Sequence, residues 1–193
     1  MDVLLVKPRP DAVQFGLAPF FQTEPLGLEY IATELQHRGH SVATVDMRFE
    51  RRHFREVLRR RRPAVVGIAC LHILDAPATL RLAREIKAFD PSVFVAVGGH
   101  AASSYPQALT ESTSLDAICI GEGERAMPVL CDALARHEPL QDVPSLLLRS
   151  GEGFERTAAA QGFLDLAGVR LPDRREFVGT TNRGRLRLVD AKR

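Results

Sequence analysis

Two histidines, His72 and His100, and one cysteine, Cys70, stand just beyond two apolar runs, and the pair Gly98-Gly99 immediately precedes the second histidine. Imidazole and thiol are the side chains best suited to ligating a metal or moving a proton near neutral pH. A tandem glycine after a buried strand lets a bulky group lie against the backbone, where any Cβ would collide. Each feature also has an ordinary reading. The histidines can be capping or surface residues, and the glycine pair can be a tight turn. Cys70, Cys119 and Cys131 form no closely spaced pair, so they match no zinc or iron–sulfur spacing and read as small buried residues. A second glycine turn, Gly121-Glu122-Gly123-Glu124, either makes a tight strand-to-helix corner or forms a further wall of a site. Its acidic residues would repel a pyrophosphate.

The elements that must position these residues alternate along the chain. Val3-Leu4-Leu5-Val6 is an apolar run of the kind buried on both faces of a parallel sheet. A proline- and glycine-containing loop, Lys7 to Glu24, is long enough to be functional. A helix opens at Pro25, repeats Leu28, Ile31, Ala32 and Leu35 on one face, and ends at Gly39. A strand at Ser41 to Asp46 and a helix at about Phe49 to Arg60 follow. The latter turns Phe54, Val57 and Leu58 inward, and eight arginines lie between Arg48 and Arg62 against Glu50 and Glu56, reading as a solvated face or a surface for an acidic partner.

Next come a strand, Ala64 to Ala69, and a helix capped by Asp75 that runs to Ala88. A strand at Val93 to Val97, a short helix near Tyr105 to Glu111, a strand at Leu115 to Ile120 and a fifth helix after the second glycine turn complete the alternation. Ser145 to Arg149 reads as an edge strand. Five strands alternating with helices predict an α/β, flavodoxin-like (Rossmann-like) doubly wound five-stranded parallel sheet of order 2-1-3-4-5. The switch point then falls between strands one and three, so the loops after Val6, Ala69 and Val97 line one crevice.

The 193 residues suffice for one domain and a tail, and no apolar run approaches the roughly 20 residues of a membrane span. The start leads straight into a strand, without a secretory leader, and together with the unpaired cysteines this assigns the cytoplasm. A net charge of +2 does not suggest a nucleic-acid partner. Lys7-Pro8 and Ala69-Cys70-Leu71 supply none of the aspartates that a magnesium-dependent phosphoryl receiver needs. From about Gly151 the apolar periodicity fades, and the last twenty residues carry seven basic residues against Glu176 and Asp190, the pattern of a linker or docking segment.

The opening Val-Leu-Leu-Val-Lys-Pro, Glu24-Pro25-Leu26-Gly27-Leu28-Glu29-Tyr30-Ile31-Ala32, Arg38-Gly39-His40, Val65-Val66-Gly67-Ile68, Val97-Gly98-Gly99-His100-Ala101 and Ile120-Gly121-Glu122-Gly123-Glu124 carry a resemblance. In their order and spacing they resemble the amino-terminal cobalamin-binding domain of cobalamin-dependent radical SAM enzymes, most of all the hopanoid type of methylase. The resemblance implies a cobalamin (vitamin B12) domain over 1–150 and a linker or docking tail over 151–193, leading to a radical SAM domain in cis or trans. It also implies methylcobalamin held for methyl transfer by that domain, whose own cofactors would be a 4Fe-4S cluster and S-adenosylmethionine. The CxxxCxxC cluster motif of that domain is absent from these 193 residues, so the enzyme would be the parent protein rather than this stretch alone.

Cobalamin domains of the methionine-synthase kind carry DxHxxG, SxL and GG. Here Asp11-Ala12-Val13-Gln14-Phe15-Gly16 places Val13 at the ligand position with Gly16 after it, and Ala69-Cys70-Leu71 stands at SxL. The resemblance therefore implies an inserted nucleotide tail without a motif histidine on cobalt, the lower face being open, water-bound or shielded by the long loop or His72. The implied contacts are Val13, Gly16, Ala69, Cys70, Leu71, His72, Gly98, Gly99, His100, Ala101, Gly121, Glu122 and Gly123. A stand-alone cobalamin-binding regulator or light sensor is the alternative, and a cofactor-free docking platform is the third reading.

Overall fold

The computed structural model describes residues 1–11, 25–162 and 164–172. Its strands are β1 (Asp2–Lys7), β2 (Ser41–Asp46), β3 (Val65–Ala69), β4 (Phe94–Gly98), β5 (Ala117–Cys119), β6 (Leu146–Ser150) and β7 (Gly153–Arg156). The helices are α1 (Leu26–His37), α2 (Phe54–Arg61), α3 (Ala76–Phe89), α4 (His100–Ser104), α5 (Gln107–Thr110) and α6 (Gly123–Arg136). One sheet runs β2-β1-β3-β4-β5-β6-β7. The first five strands are mutually parallel in the expected 2-1-3-4-5 order, the flavodoxin-like arrangement, and β6 and β7 add an antiparallel edge.

The expected five-stranded sheet is therefore seven-stranded. The chain turns back after Ser150 through Gly151, which takes φ +56, so that Ser150 pairs with Gly153 in a tight hairpin. β7 has too few residues to show apolar alternation, and the glycines at 151 and 153 were its signal.

Each face of the sheet has its own core. On one face Val66, Ile68, Val95, Val97 and Ile118 pack against Phe54, Val57 and Leu58 of α2 and Ile86 of α3. On the other, Leu5, Ala96, Ala117 and Cys119 face Leu28 and Leu35 of α1 and Met127 and Leu130 of α6. Burying each of these larger side chains contributes on the order of 2 kcal/mol. α1 ends as expected, with Gly39 at φ +84 and the His40 N–H reaching back to the Leu35 carbonyl at 3.1 Å.

Several boundaries move for local reasons. α2 starts at Phe54 instead of Phe49 because Asp46 accepts the Arg48 N–H and Glu50 accepts the Arg52 N–H, each at 3.0 Å, and such side-chain turns compete with helix. Arg55, Arg59, Arg61 and Arg62 are exposed, as the arginine-rich pattern predicts. Asp75 does not cap α3 with its side chain. Its carboxylate accepts the His72 N–H at 3.0 Å, and a 3₁₀ turn, Ile73–Asp75, precedes the helix. The expected helix near Tyr105 to Glu111 is the shorter α5, and a separate α4 precedes it, the two being kept apart because Pro106 disfavours helical backbone at Tyr105. β5 starts late because the Asp116 carboxylate takes the Val95 N–H at 2.7 Å and pairs with Lys87.

At the amino-terminal edge of the sheet, Asp132 of α6 accepts from His40 Nε2 at 2.9 Å and Arg38 Nη1 at 2.7 Å, bracing α6 against the end of α1. Burial pushes its carboxyl pKa up, but the bonds from Arg38 and His40 outweigh it and the net shift is downward. A carboxylate depressed in the folded state stabilises above its unfolded pKa of about 3.9, and that contribution is lost as the pH falls through the folded value. Asp132→Asn is expected to lower stability by about 1 kcal/mol at pH 7. In thermal melts the gap in Tm from the parent should shrink as the pH falls below about 4.

Candidate functional site

Parallel register aligns residues of one parity across the sheet. Leu5 pairs with Gly67, Gly67 with Ala96 and Ala96 with Ala117, while Ala69 pairs with Gly98. On the α1/α6 face β3 and β4 therefore carry Val65 and Phe94 at their starts but only glycine and alanine beyond them, whereas their opposite parity is valine and isoleucine. The helices cannot collapse onto a surface without side chains, and a cleft of about 400 Å³ remains between sheet and helices. This is the size of a small-molecule or cofactor site.

The floor is closed by Leu5 and Met127, since a Cβ on Gly67 would stand 2.9 Å from Leu5 Cδ2 and 3.1 Å from Met127 Cε. Leu28 and Ile31 form the α1 wall. Polar side chains lie at the mouth: His100, Ser103, and Glu124, which faces Gly27 across the opening. The Ser103 hydroxyl donates to the Gly99 carbonyl at 3.0 Å and accepts the Gly121 N–H at 2.9 Å, joining the loops after β4 and β5.

The two adjacent glycines serve different ends. Gly99 takes φ +117, and a Cβ there would lie 2.7 Å from the Cys70 carbonyl oxygen. The loops after β3 and β4 are laced together at this point, with Cys70 N–H to Gly98 O at 2.7 Å and Ala101 N–H to Cys70 O at 3.2 Å. Gly98 is free of that constraint. A Cβ there meets only Cys119 Cβ at 3.4 Å, on the cleft wall.

Of the residues singled out in the sequence, Ala69, Leu71, Gly98, Gly99 and His100 line the cleft on the β3–β4 side, and Gly121 and Gly123 line it beyond β5. Cys70 lies beneath its loop, its thiol 3.7 Å from the His72 carbonyl oxygen, and burial pushes its pKa up to about 11. Ala101 is buried in the core of the opposite face. His72 is exposed outside the cleft, and its Nδ1 accepts the Leu74 N–H at 3.2 Å. Val13 and Gly16 lie outside the described residues.

Glu122 faces the chain that follows β7. Its carboxylate accepts the Leu164 N–H at 3.0 Å, and Arg125 donates to the carbonyls of Gln161 and Gly162 at 3.0 and 2.9 Å. Farther on, Arg170 pairs with Glu34 of α1 at 3.2 Å. The segment read from sequence as linker is thus tied to both helices that wall the cleft.

Sequence reasoning missed Gly67, Ala96, Cys119, Ile31 and Met127 as cleft residues. The signal was present in small residues two apart on successive strands, Gly67-x-Ala69, Ala96-x-Gly98 and Ala117-x-Cys119. Burial pushes the Cys119 thiol up to about 12, so the cleft meets it as a neutral, weakly polar group.

Residues 17–131 match the B12 binding domain family. The chain belongs to that family. It is 34% identical over 177 residues to the hopanoid C-3 methylase of Methylococcus capsulatus, covering 90% of this chain and 33% of the methylase. It is 26% identical over 152 residues to cytidylyl-2-hydroxyethylphosphonate methyltransferase of Streptomyces wedmorensis, covering 68% of this chain and 28% of that protein. The radical S-adenosylmethionine methyltransferase TsrM of Kitasatospora setae, solved with cobalamin and a [4Fe-4S] cluster bound, shares the fold. Its TM-score is 0.70 at 22% identity, over 89% of this chain and 31% of TsrM. The B12-binding domain chain thus spans about a third or less of the relatives it matches. Among the described residues no helix is long and apolar enough to cross a membrane.

The residues present fit a cobalamin. A cleft that a Cβ at Gly98 would begin to fill, apolar at its floor and polar at its mouth, suits a cofactor with a flat aromatic base on a polar tether. The contrast between the glycines gives a direct check. Gly99→Ala is expected to lose about 2 kcal/mol of stability and Gly98→Ala to stay within about 0.5 kcal/mol, read by urea unfolding.

Proposed function

We propose that this B12-binding domain holds cobalamin with the nucleotide tail in the cleft and presents a methyl group to a radical SAM methyltransferase domain. The cleft kept open by Ala69, Ala96 and Gly98 is the observation that carries the reading. Ala69, Leu71, Gly98, Gly99 and His100 form one wall around the cofactor, and Gly121 and Gly123 the other. Cys70 and Ala101 back the first wall, and Glu122 fixes the second to the chain beyond β7. Val13 and Gly16 are further proposed contacts to the cofactor. Bound cobalamin supplies a carrier on which a methyl group can be held and given up.

The chain's own part is to hold the tail and keep its cleft dry. His72 is positioned outside the cobalt ligand set. Because Nδ1 accepts the Leu74 N–H, the neutral ring carries its proton on Nε2 and offers a donor there, not a lone pair. The partner domain, in cis or trans, would bring the 4Fe-4S cluster and S-adenosylmethionine. The names of the similar methylase and methyltransferase support methyl transfer, and the TsrM structure, a radical S-adenosylmethionine methyltransferase with cobalamin and a [4Fe-4S] cluster bound, supports that pairing of cofactors. Residues 1–150 form the cobalamin unit and 151–193 lead toward the partner, with the ties from Glu122, Arg125 and Glu34 setting the direction of departure. Three free, buried cysteines suit the cytoplasm.

The test is a visible spectrum of the protein after incubation with hydroxocobalamin or methylcobalamin and removal of free cofactor. Retained corrinoid with a shifted spectrum is expected, and His72→Ala should leave that spectrum unchanged. Gly98→Leu should keep the far-ultraviolet circular dichroism of the parent and bind cobalamin about a hundredfold more weakly. Unaltered affinity in that variant would remove the tail from the cleft.

A further inference from the structure

The deep end of the cleft is uniform in chemistry. Leu5, Leu28, Ile31, Gly67, Ala96 and Met127 enclose it beside Cys119, and none carries a strong side-chain donor or acceptor, the Met127 thioether and the neutral Cys119 thiol being weak ones. The strand backbone beneath them is already paired within the sheet at the β1–β3 and β3–β4 ladders. The polar side chains of the lining sit toward the mouth. Ser103 has spent its single proton on the Gly99 carbonyl. Glu124 lies in the first turn of α6, opposite Gly27 and one helical turn above Met127.

We infer that this cleft selects among cobamides by their lower base, taking the benzimidazole class and rejecting the purine class, with Met127, Ile31 and Ala96 as the specificity-determining residues. The inference rests on the cobalamin reading above and deepens it. A dimethylbenzimidazole presents methyl groups and a single free ring nitrogen to the floor. An adenine base presents an exocyclic amine and several ring nitrogens, all of which hydrogen-bond in water. Buried against Leu5, Ile31, Ala96 and Met127, these groups meet only the weak thiol of Cys119 and the thioether of Met127, and a polar group so poorly satisfied is disfavoured by about tenfold or more. The ceiling is set by the apolar character of the walls. A pocket of this kind excludes an added polar group by roughly a hundredfold, not by the larger factors of a site built to hydrogen-bond its ligand.

The experiment titrates the 193-residue chain with cobalamin, with adeninylcobamide and with cobinamide, which has no nucleotide base, following corrinoid absorbance. Cobalamin is expected to bind about tenfold to a hundredfold more tightly than adeninylcobamide. Met127→Gln, which places an amide in the floor, and Ala96→Ser, which adds only a hydroxyl there, are each expected to narrow that ratio by several-fold, with folding checked by circular dichroism. Equal affinity for cobalamin and adeninylcobamide, with cobinamide much weaker, would overturn the selectivity while leaving the tail in the cleft. So would a ratio unchanged in both variants. Cobinamide binding as tightly as cobalamin would overturn the cobalamin-tail reading itself and the selectivity with it.

Discussion

The structure depends on an asymmetry of bulk across two central strands. β3 and β4 are full-sized along the face that packs against α2 and α3, whereas on the face toward α1 and α6 they are nearly bare beyond Val65 and Phe94. A parallel sheet buried on both faces normally fills both with branched side chains. Here Gly67, Ala69, Ala96 and Gly98 withhold that filling from one face, so two helices braced elsewhere span an open space. Leu35 and Leu130 pack the lower halves of α1 and α6, and Asp132 holds the bottom of α6 to Arg38 and His40. The upper ends meet where Ile31 approaches Gly123, so the cleft is left between the helices and the strand ends beneath them.

The loops at the top of the sheet are ordered by backbone contacts. The close approach of Gly99 to Cys70 fixes the turn after β4, and Ser103 carries that order across to Gly121. From Gly121 it passes to Glu122 and so to the chain beyond β7. A continuous set of contacts therefore leads from the rim of the cleft to the chain around Leu164.

Much of this was legible in the residues. β1 to β4 and α1 declare themselves through apolar runs bounded by Pro25, Gly39 and Gly98, and the parallel order follows from the handedness of their crossovers. β7 escaped because four residues cannot display a period, and the start of α2 escaped because Asp46 and Glu50 prefer to bond their own backbone. The rim of the site was legible because glycine pairs after strands are conspicuous. Its floor was not, because Ala96 and Met127 look like ordinary core residues until the strand register sets Ala96 beside Gly67 and α6 brings Met127 over them. The Cys70 and His72 side chains attract attention for their chemistry, yet one is buried beneath its loop and the other caps a turn.

The most direct measurement is a crystal structure of this chain grown with cobalamin. The account expects the lower base detached from cobalt and lying over Ala96 beside the Leu5–Met127 floor, with the tail passing over the Cα of Gly98. A corrinoid seated with its base still on its own cobalt, and a cleft closed by side chains or filled only with water, would contradict it.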